Sequence, residues 1–96
     1  MPSPASKVIH EPAAQRFTAL VDGQLSEACY SLAGHTMVLT HTGVPAALAG
    51  RGIAAVLVQA ALAHARAQGL TVRPLCSYVQ AYMRRHPETL DLLAQA

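Results

Sequence analysis

The stretch VPAALAGRGIA, residues 44–54, decides how the rest of the sequence is interpreted. Gly50, Arg51 and Gly52 form a Gly-x-Gly turn, and an apolar run with helical periodicity begins directly after it. Backbone N–H groups at the start of a helix attract anions, and glycine lets a ligand approach the backbone closely. Arg51 adds a positive charge. The pattern therefore predicts a phosphate-binding turn, although an ordinary tight turn into a helix shares these features.

The apolar run after the turn predicts one long helix that ends near Gly69. Gly69 stands where a glycine commonly follows the last helical residue. One helical stripe is apolar, whereas Gln59 and Arg66 fall on the opposite side. The stripe comprises Ile53, Leu57, Ala60, Ala61 and His64. We expect this stripe to face the core, which makes His64 a core or edge histidine.

Residues before the turn predict an antiparallel β meander. Asp22-Gly23 is a strong two-residue hairpin signal, and Ala33-Gly34 predicts a second turn. The predicted strands cover residues 16–21, 25–32 and 35–42. The proline-rich residues 1–12 predict a flexible lead-in, which leaves open a short edge strand over 7–10. The meander therefore supplies the first half of the fold.

Residues after the long helix predict a strand over 70–75, and the helical crossover would pair it parallel to the third strand. Ser77 predicts the cap of a second helix that extends to Arg85, and residues 89–94 predict a last helical turn. The fold class is thus α+β, with an antiparallel meander followed by a parallel βαβ unit and a C-terminal helix. We expect one domain over residues 13–96.

The composition narrows the classes of function. Hydrophobic residues make up 52% of the chain and the net charge is only +2, which favours a compact core over a nucleic-acid-binding surface. The N-terminus lacks a signal-peptide pattern and the most apolar stretch, 53–65, is too short to cross a bilayer. We therefore expect a cytoplasmic protein that binds neither nucleic acid nor membrane. Its cysteines and histidines lack metal-ligand spacing, so no metal is expected.

Two runs together carry a family resemblance. THTGVPAALAGRGIAAVLVQAALAHARAQGL, followed by VRPLCSYVQAYMRRHPE, closely resembles the compact stand-alone members of the GNAT (N-acetyltransferase) superfamily. The resemblance covers roughly Phe17 to Leu92, with loop, helix, strand, cysteine and the RHPE ending in order. It implies a minimal GNAT-like fold that binds acetyl-CoA or coenzyme A.

The resemblance also implies a set of cofactor-binding residues. The coenzyme A pyrophosphate would bind the turn that opens the long helix, the pantetheine arm would lie between the ends of two strands, and a C-terminal arginine would reach a phosphate or only solvate a helix end. These residues are Val44, Gly50, Arg51, Gly52, Ile53, Ala54, Leu75 and Arg84. Ala49 departs from the usual Gln or Arg of the pyrophosphate motif, and Gly43 stands where the compact subgroup commonly has Glu.

Three residues are candidates for catalysis, each with a structural alternative. Cys76 matches the cysteine that the compact subgroup places beside the acetyl group, and its position before a helix N-terminus favours the thiolate. A buried structural thiol is the alternative. His41 near the end of the third strand is a candidate general base or a hydrogen-bonded strand-end histidine. Tyr82 lies close to the position of a tyrosine that protonates the departing thiolate in larger GNAT enzymes, but packing explains it equally well.

The resemblance therefore predicts a protein that transfers an acetyl group from acetyl-CoA to an unidentified amine on a small molecule or protein, directly or through Cys76. The alternative is a non-catalytic acyl-CoA-binding or protein-interaction module that retains the fold, which Ala49 and Gly43 favour. We expect a monomer or weak dimer in either case.

Overall fold

A mixed five-stranded sheet runs in chain order from β1 to β5. The structure, a computed structural model, describes residues 8–94. The strands are β1 (Val8–Glu11), β2 (Arg16–Val21), β3 (Gln24–Ala33), β4 (Thr36–Gly43) and β5 (Thr71–Pro74), and the helices are α1 (Ile53–Ala67) and α2 (Ser77–Arg85). Short 3-10 helices cover Pro12–Ala14, Ala46–Leu48 and Pro87–Leu92. Strands β1 to β4 are antiparallel and β4 pairs parallel with β5, which confirms the predicted α+β class.

The N-terminal segment contains the short edge strand that the sequence left open over 7–10. Residues 8–11 form this strand, β1, and pair with β2, while residues 1–7 lie outside the described part. The His10 ring anchors β1, because it stacks on Phe17 with ring centroids 4.2 Å apart. Its Nε2 atom also forms a 2.6 Å hydrogen bond with the Tyr30 hydroxyl. Side-chain packing that the proline-rich sequence concealed thus orders the edge strand.

Both hairpin turns are present, and one is shifted. Asp22 and Gly23 have positive φ angles of 51° and 75°, as a type I′ turn requires, which confirms the first turn. The second turn comprises Gly34 and His35 instead of Ala33-Gly34, because Ala33 already pairs with Thr36. The shift places the glycine at the first central position, where its φ of 61° is tolerated without a Cβ clash.

Helix α1 begins at Ile53 after the Gly-x-Gly turn, and its end before Gly69 is as predicted. It ends in a Schellman motif, in which the Leu70 amide donates to the Ala65 carbonyl at 2.8 Å and the Gly69 amide donates to Arg66 at 3.3 Å. Its buried residues are Ile53, Leu57, Val58, Ala61, Leu62 and Ala65. His64 is partly buried, with its ring centroid 4.4 Å from that of His10, so it is an edge histidine as expected.

Both helices pack on one face of the sheet. Helix α1 contacts β2, β3 and β5, and α2 contacts β4, β5 and α1. Side chains alternate along each strand, and those on the helix side are buried in the core. These buried strand residues include Phe17, Ala19, Ala28, Tyr30, Met37 and Leu39. Among the described elements, neither helix covers the opposite face, which we call the open face.

The parallel pair β4–β5 separates at Leu39. Pairing runs only from Thr36 with Thr71 to Leu39 with Pro74. The Leu39 carbonyl then accepts the backbone N–H groups of Leu75 at 3.0 Å and Cys76 at 3.2 Å, and the chain leaves the sheet. Strand β4 continues along β3 to Gly43, with a register irregularity beside Thr40. The end of β4 therefore extends past β5 and leaves an opening between the two strands.

The C-terminal elements differ in detail from prediction. The N-cap of α2 is Cys76 and not Ser77, because Cys76 has extended backbone angles and Ser77 already belongs to the helix. The expected helical turn over 89–94 is a 3-10 helix over Pro87–Leu92. It ends early because Leu93 forms an isolated parallel bridge with Val72 beside β5.

Candidate functional site

The Gly-x-Gly turn opens into a cavity at the start of α1. Gly50 and Gly52 have φ angles of 81° and 79°, a region that side chains with a Cβ avoid. A Cβ on either glycine would meet no protein atom within 4 Å, so the space above the turn is open to a ligand. The cavity has a volume of about 330 Å³ and is lined by Val44, Leu48, Ala49, Gly50, Gly52, Ile53, Ala54 and Tyr78.

Five of the predicted cofactor residues meet in this cavity, which are Val44, Gly50, Gly52, Ile53 and Ala54. Gly52 is the N-cap of α1 and no side chain caps the helix, so the first amides of α1 lack a side-chain acceptor there. Such amides at the positive end of a helix dipole suit a phosphate group. We call the Gly50–Ala54 turn with the first amides of α1 the cradle. Its properties fit the pyrophosphate that the sequence predicted.

Arg51 is directed to a different part of the molecule. Its guanidinium NH1 lies 2.6 Å from Oδ2 of Asp22 in the β2–β3 turn, and both side chains are largely exposed. The lining of the cavity does not include Arg51. The positive charge predicted for the site from Arg51 is thus paired with the carboxylate of Asp22. The groups that could bind a phosphate in the cavity are therefore mainly backbone amides.

Cys76 lies where β4 and β5 separate. Its Sγ atom is 3.6 Å from Oγ1 of Thr42 near the end of β4. Thr42 precedes Val44 by two residues and Cys76 precedes Tyr78 by two residues, and both Val44 and Tyr78 line the cavity. Cys76 and Thr42 are thus each two residues from a residue that lines the cavity, and neither lines the cavity itself. Leu75, the neighbouring residue, is 59% exposed at the same opening.

The environment of Cys76 favours its thiolate. Partial burial by itself raises the pKa of the thiol, but the hydrogen bond with Thr42 and the nearby amides of Val79, Tyr78 and Thr42 outweigh it, so the pKa falls below its ordinary value. The Cys76 side chain does not form a capping hydrogen bond with α2, so the Tyr78 and Val79 amides lower the pKa of the thiol because they lie close to it. A lowered pKa raises the fraction of nucleophilic thiolate at neutral pH.

Cys29 has the opposite environment. Burial raises the pKa of its thiol, and the carboxylate of Glu27 raises it further. Both cysteines are free and half-buried, so they differ in their neighbours more than in their accessibility. Cys29 is therefore a natural internal control for Cys76.

His41 lies on β4 immediately before Thr42, and side chains alternate between faces, so its imidazole lies on the open face. The ring folds over Gly43: a Cβ at residue 43 would lie 3.0 Å from Nε2 of His41. His41 is exposed, whereas Cys76 contacts the other face of the strand end. The imidazole and the thiol therefore lie on either side of the opening.

The structure does not bring Tyr82 to this opening. Its ring stacks on His86 with centroids 4.0 Å apart and an interplanar angle of 14°. Tyr82 lines a separate cavity of about 190 Å³ between α1 and the segment after α2, which includes Gln59 and Arg66. Burial raises the pKa of its phenol, and Glu88 raises it further. Tyr78, one turn earlier on α2, lies at the cradle instead.

Arg84 also lies away from the cradle. It lines a groove with Pro74, Met83 and Leu90 on the other side of α2. The sequence did not single out Thr42, because plain alternation from Leu39 places residue 42 on the open face and only the register irregularity beside Thr40 moves it to the helix side with Cys76. Tyr78 could be distinguished from Tyr82 only once the start of α2 at Ser77 was known.

Comparison with known proteins decides the family. Residues 16–92 match the family described as GCN5-related N-acetyl-transferase. The chain belongs to this family. Members of this GNAT fold family typically use acetyl-CoA, which agrees with an anion cradle next to an opening between strands.

Relatives in sequence and a similar solved structure match most of the length of this GNAT protein. The chain is 34% identical to Protein NATD1 of Xenopus tropicalis over 89 residues, covering 90% of this chain and 82% of that one. It is 36% identical to Protein NATD1 of Homo sapiens over 84 residues, covering 84% and 74%. A GCN5-like protein of Staphylococcus aureus, solved in solution by NMR, superposes with a TM-score of 0.73 at 23% identity, covering 93% and 88%. The compact GNAT fold is therefore shown.

Residues 8–94 were also considered for membrane-spanning helices and metal-binding side chains. None of the helices there combines the length and apolar character that crossing a membrane requires. In the same residues, no set of three or more His, Cys, Asp or Glu side chains is placed to hold a metal ion.

Proposed function

We propose that this GNAT protein binds acetyl-CoA at the Gly50–Ala54 turn and transfers the acetyl group to an amine through Cys76. The observation that carries the proposal is the position of the Cys76 thiol at the β4–β5 opening, 3.6 Å from Oγ1 of Thr42. The cavity-lining residues Val44 and Tyr78 lie two residues further along the two chain segments. The α1 amides would hold the phosphates of acetyl-CoA, and Cys76 would then be the nucleophile available at the β4–β5 opening. Acetyl-CoA supplies an activated acetyl group as a thioester.

The first step is thiol exchange. The Cys76 thiolate attacks the thioester carbonyl, a new carbon–sulfur bond forms, and the bond to coenzyme A breaks with its electron pair on the departing sulfur, which takes up a proton. One thioester replaces another, so the step is nearly balanced in free energy. The amine then attacks the acetyl-Cys76 carbonyl and regenerates the thiol.

The cradle is tested by calorimetric titration of acetyl-CoA. Gly52→Val places a branched side chain where the open space above the turn lies, and its strained φ of 79° adds to the effect. Gly34→Val is the matched control, because Gly34 also has a positive φ of 61° with open space but lies in the β3–β4 turn. Loss of binding in Gly52→Val alone supports the cradle, and binding retained in folded Gly52→Val refutes it.

The role of Cys76 is tested by intact mass after incubation with acetyl-CoA without an amine. We expect a mass increase of one acetyl group that survives in Cys29→Ala and disappears in Cys76→Ala. Acetylation that persists in Cys76→Ala, or none in the wild-type protein, contradicts a covalent role of Cys76.

A non-catalytic acyl-CoA-binding module is the second candidate, and one observation favours it. Ala49 contributes no polar side chain to the cavity and Arg51 is paired with Asp22, so recognition of phosphate rests on backbone amides. Binding of acetyl-CoA without acetyl-Cys76 and without transfer to any amine would favour this candidate.

A further inference from the structure

The Arg51–Asp22 ion pair links the cradle to a turn at another part of the sheet. Arg51 stands between Gly50 and Gly52, which both line the cavity at the start of α1. Its guanidinium, however, lies at the β2–β3 turn, where Nη1 is 2.6 Å from Oδ2 of Asp22, a residue 29 positions earlier in the chain. The positive charge that the Gly-x-Gly turn contains is thus held by a carboxylate instead of lining the cavity.

The β2–β3 turn itself does not require a negative charge at Asp22. The turn needs positive φ angles at both central residues, and Asp22 and Gly23 have φ angles of 51° and 75°. Asn-Gly satisfies the same type I′ geometry as readily as Asp-Gly, so an uncharged side chain would serve here. The carboxylate of Asp22 instead bonds Arg51. We therefore attribute the effect of this charge to Arg51 rather than to the hairpin.

The geometry of the pair leaves Arg51 able to exchange its partner. A single guanidinium nitrogen contacts a single carboxylate oxygen, and the Arg51 and Asp22 side chains are 49% and 65% exposed. Arg66, by contrast, contacts both carboxylate oxygens of Asp91, at 2.9 and 3.0 Å. Exposed single contacts contribute little to stability, whereas arginine–carboxylate contacts with two hydrogen bonds are stronger. The Arg51–Asp22 contact is thus the more easily replaced of the two.

A phosphate in the cradle would attract Arg51 more strongly than Asp22 does. Gly52 is the N-cap of α1 and no side chain caps the helix, so an anion there meets free amides and the positive end of the helix dipole. A diphosphate carries more negative charge than one carboxylate, and a guanidinium binds phosphate oxygens in the same forked geometry. Because the Arg51 side chain is exposed, it can turn away from Asp22 without disturbing the core.

We infer that Asp22 is an autoinhibitory anion, which holds Arg51 away from the cradle until Arg51 exchanges this carboxylate for a phosphate of the bound cofactor. This inference rests on the proposed function, because it concerns the same acetyl-CoA site. The exchange makes no covalent change: the contact of Arg51 with Asp22 breaks, and a contact of Arg51 with phosphate forms. Asp22 thus lowers the affinity of the free protein for phosphate, and filling the cradle releases the β2–β3 turn from the loop before α1.

Calorimetric titration with acetyl-CoA tests the inhibitory effect of Asp22. Asp22→Asn keeps the turn and frees Arg51, so the Kd for acetyl-CoA should fall about threefold to fivefold, the size expected for an exposed ion pair. The difference should shrink as the salt concentration rises, because salt screens exposed charges. Asp91→Asn is the charge-matched control, since it frees Arg66 away from the cradle and should leave the Kd unchanged. Unchanged or weaker binding in Asp22→Asn overturns the inference.

A double-mutant cycle tests whether Asp22 acts through Arg51. Arg51→Gln should weaken acetyl-CoA binding, and adding Asp22→Asn to Arg51→Gln should then have no further effect. If Asp22→Asn tightens binding equally with and without Arg51, the carboxylate repels the phosphate directly and the exchange does not occur.

NMR signals follow the exchange without any turnover. On saturation with acetyl-CoA, the Arg51 Nε–H signal and the Gly23 amide signal should both shift, because the guanidinium leaves the β2–β3 turn. The Gly23 shift should be absent in Arg51→Gln, and the Gly34 amide in the β3–β4 turn should not move in either protein. Shifts at residues 50–54 with an unchanged Gly23 signal in the wild-type protein would contradict the exchange.

The two proposals fail separately. If acetyl-CoA binds the wild-type protein and Asp22→Asn equally, the inference fails, whereas the mass of acetyl-Cys76 still tests the proposed function. If the wild-type protein does not bind acetyl-CoA, the proposed function fails, and titration with inorganic pyrophosphate decides the inference by itself. Tighter binding of pyrophosphate to Asp22→Asn then supports it, and equal binding or none in both proteins overturns it.

Discussion

The sulfur of Cys76 and the hydroxyl of Thr42 are 3.6 Å apart, although 34 residues separate them in the chain. This contact joins the start of α2 to the end of β4 across the opening between the parallel strands. Because of this contact, the ionisation of the thiol depends on β4, the strand along which a pantetheine arm would lie. The contact is also easily tested, because threonine has a close apolar counterpart in valine.

Thr42→Val should raise the pKa of Cys76. The Thr42 hydroxyl donates to the thiolate and opposes the effect of burial, so its loss leaves burial less compensated. The pH dependence of Cys76 alkylation by iodoacetamide should shift to higher pH. Thr40→Val is the matched control, because the Thr40 hydroxyl donates to the Cys29 carbonyl at 3.3 Å and is exposed. A profile that shifts equally in both variants would contradict the assignment.

The two cysteines should differ strongly in reactivity. The pKa of Cys76 is lowered, whereas burial and Glu27 raise that of Cys29. Below the ordinary thiol pKa, Cys76 therefore contains the larger thiolate fraction, and the difference narrows as pH rises past both values. Limited alkylation near neutral pH followed by peptide mapping should label Cys76 first. Preferential labelling of Cys29 would show that access outweighs ionisation.

Ser26→Ala should stabilise the fold. The Ser26 side chain is fully buried, and within residues 8–94 its hydroxyl has no hydrogen-bond partner. Removing an unsatisfied buried hydroxyl should increase the free energy of unfolding by about 1 kcal/mol. Chemical denaturation with urea measures the change. Ser31→Ala on the exposed part of the same strand should leave the midpoint unchanged, and destabilisation by Ser26→Ala would mean that the hydroxyl has a partner, such as water.

Stability should fall below about pH 6.5 because of His10. Burial lowers the pKa of His10 and the neighbouring His64 lowers it further, so the unfolded chain binds a proton more readily than the folded one. Stability from the neutral imidazole is complete above the unfolded value of about 6.5 and is lost as pH falls toward the lowered folded value.

Thermal melts across pH 4–8 check this dependence. His10→Phe keeps an aromatic ring against Phe17 but removes the titrating group, so its melting temperature should vary less over this range. His35→Gln in the exposed β3–β4 turn is the control and should retain the wild-type slope. Equal slopes in all three proteins would exclude His10 as the source.

Local patterns predicted much of this fold. The Asp22-Gly23 turn, the β2 boundaries and the end of α1 at Gly69 follow from short-range backbone preferences, which a few neighbouring residues determine. The sequence could only leave the edge strand open, because β1 is held by the contacts of His10 with Phe17 and Tyr30, which lie further along the chain. Such contacts leave no periodic trace in four residues.

The features of the candidate site also divide into those that short stretches of sequence predict and those that depend on contacts between distant residues. The sequence alone determined the Gly-x-Gly turn before α1, the order of elements and the position of Cys76 after the last strand, because spacing along the chain specifies each of them. Only the tertiary structure decided that Tyr78 and not Tyr82 lies at the cradle, that Arg51 binds Asp22, and that His41 lies over Gly43 opposite Glu27. These relationships depend on strand register and on the starting residue of α2, and a shift of one residue in either would reverse them.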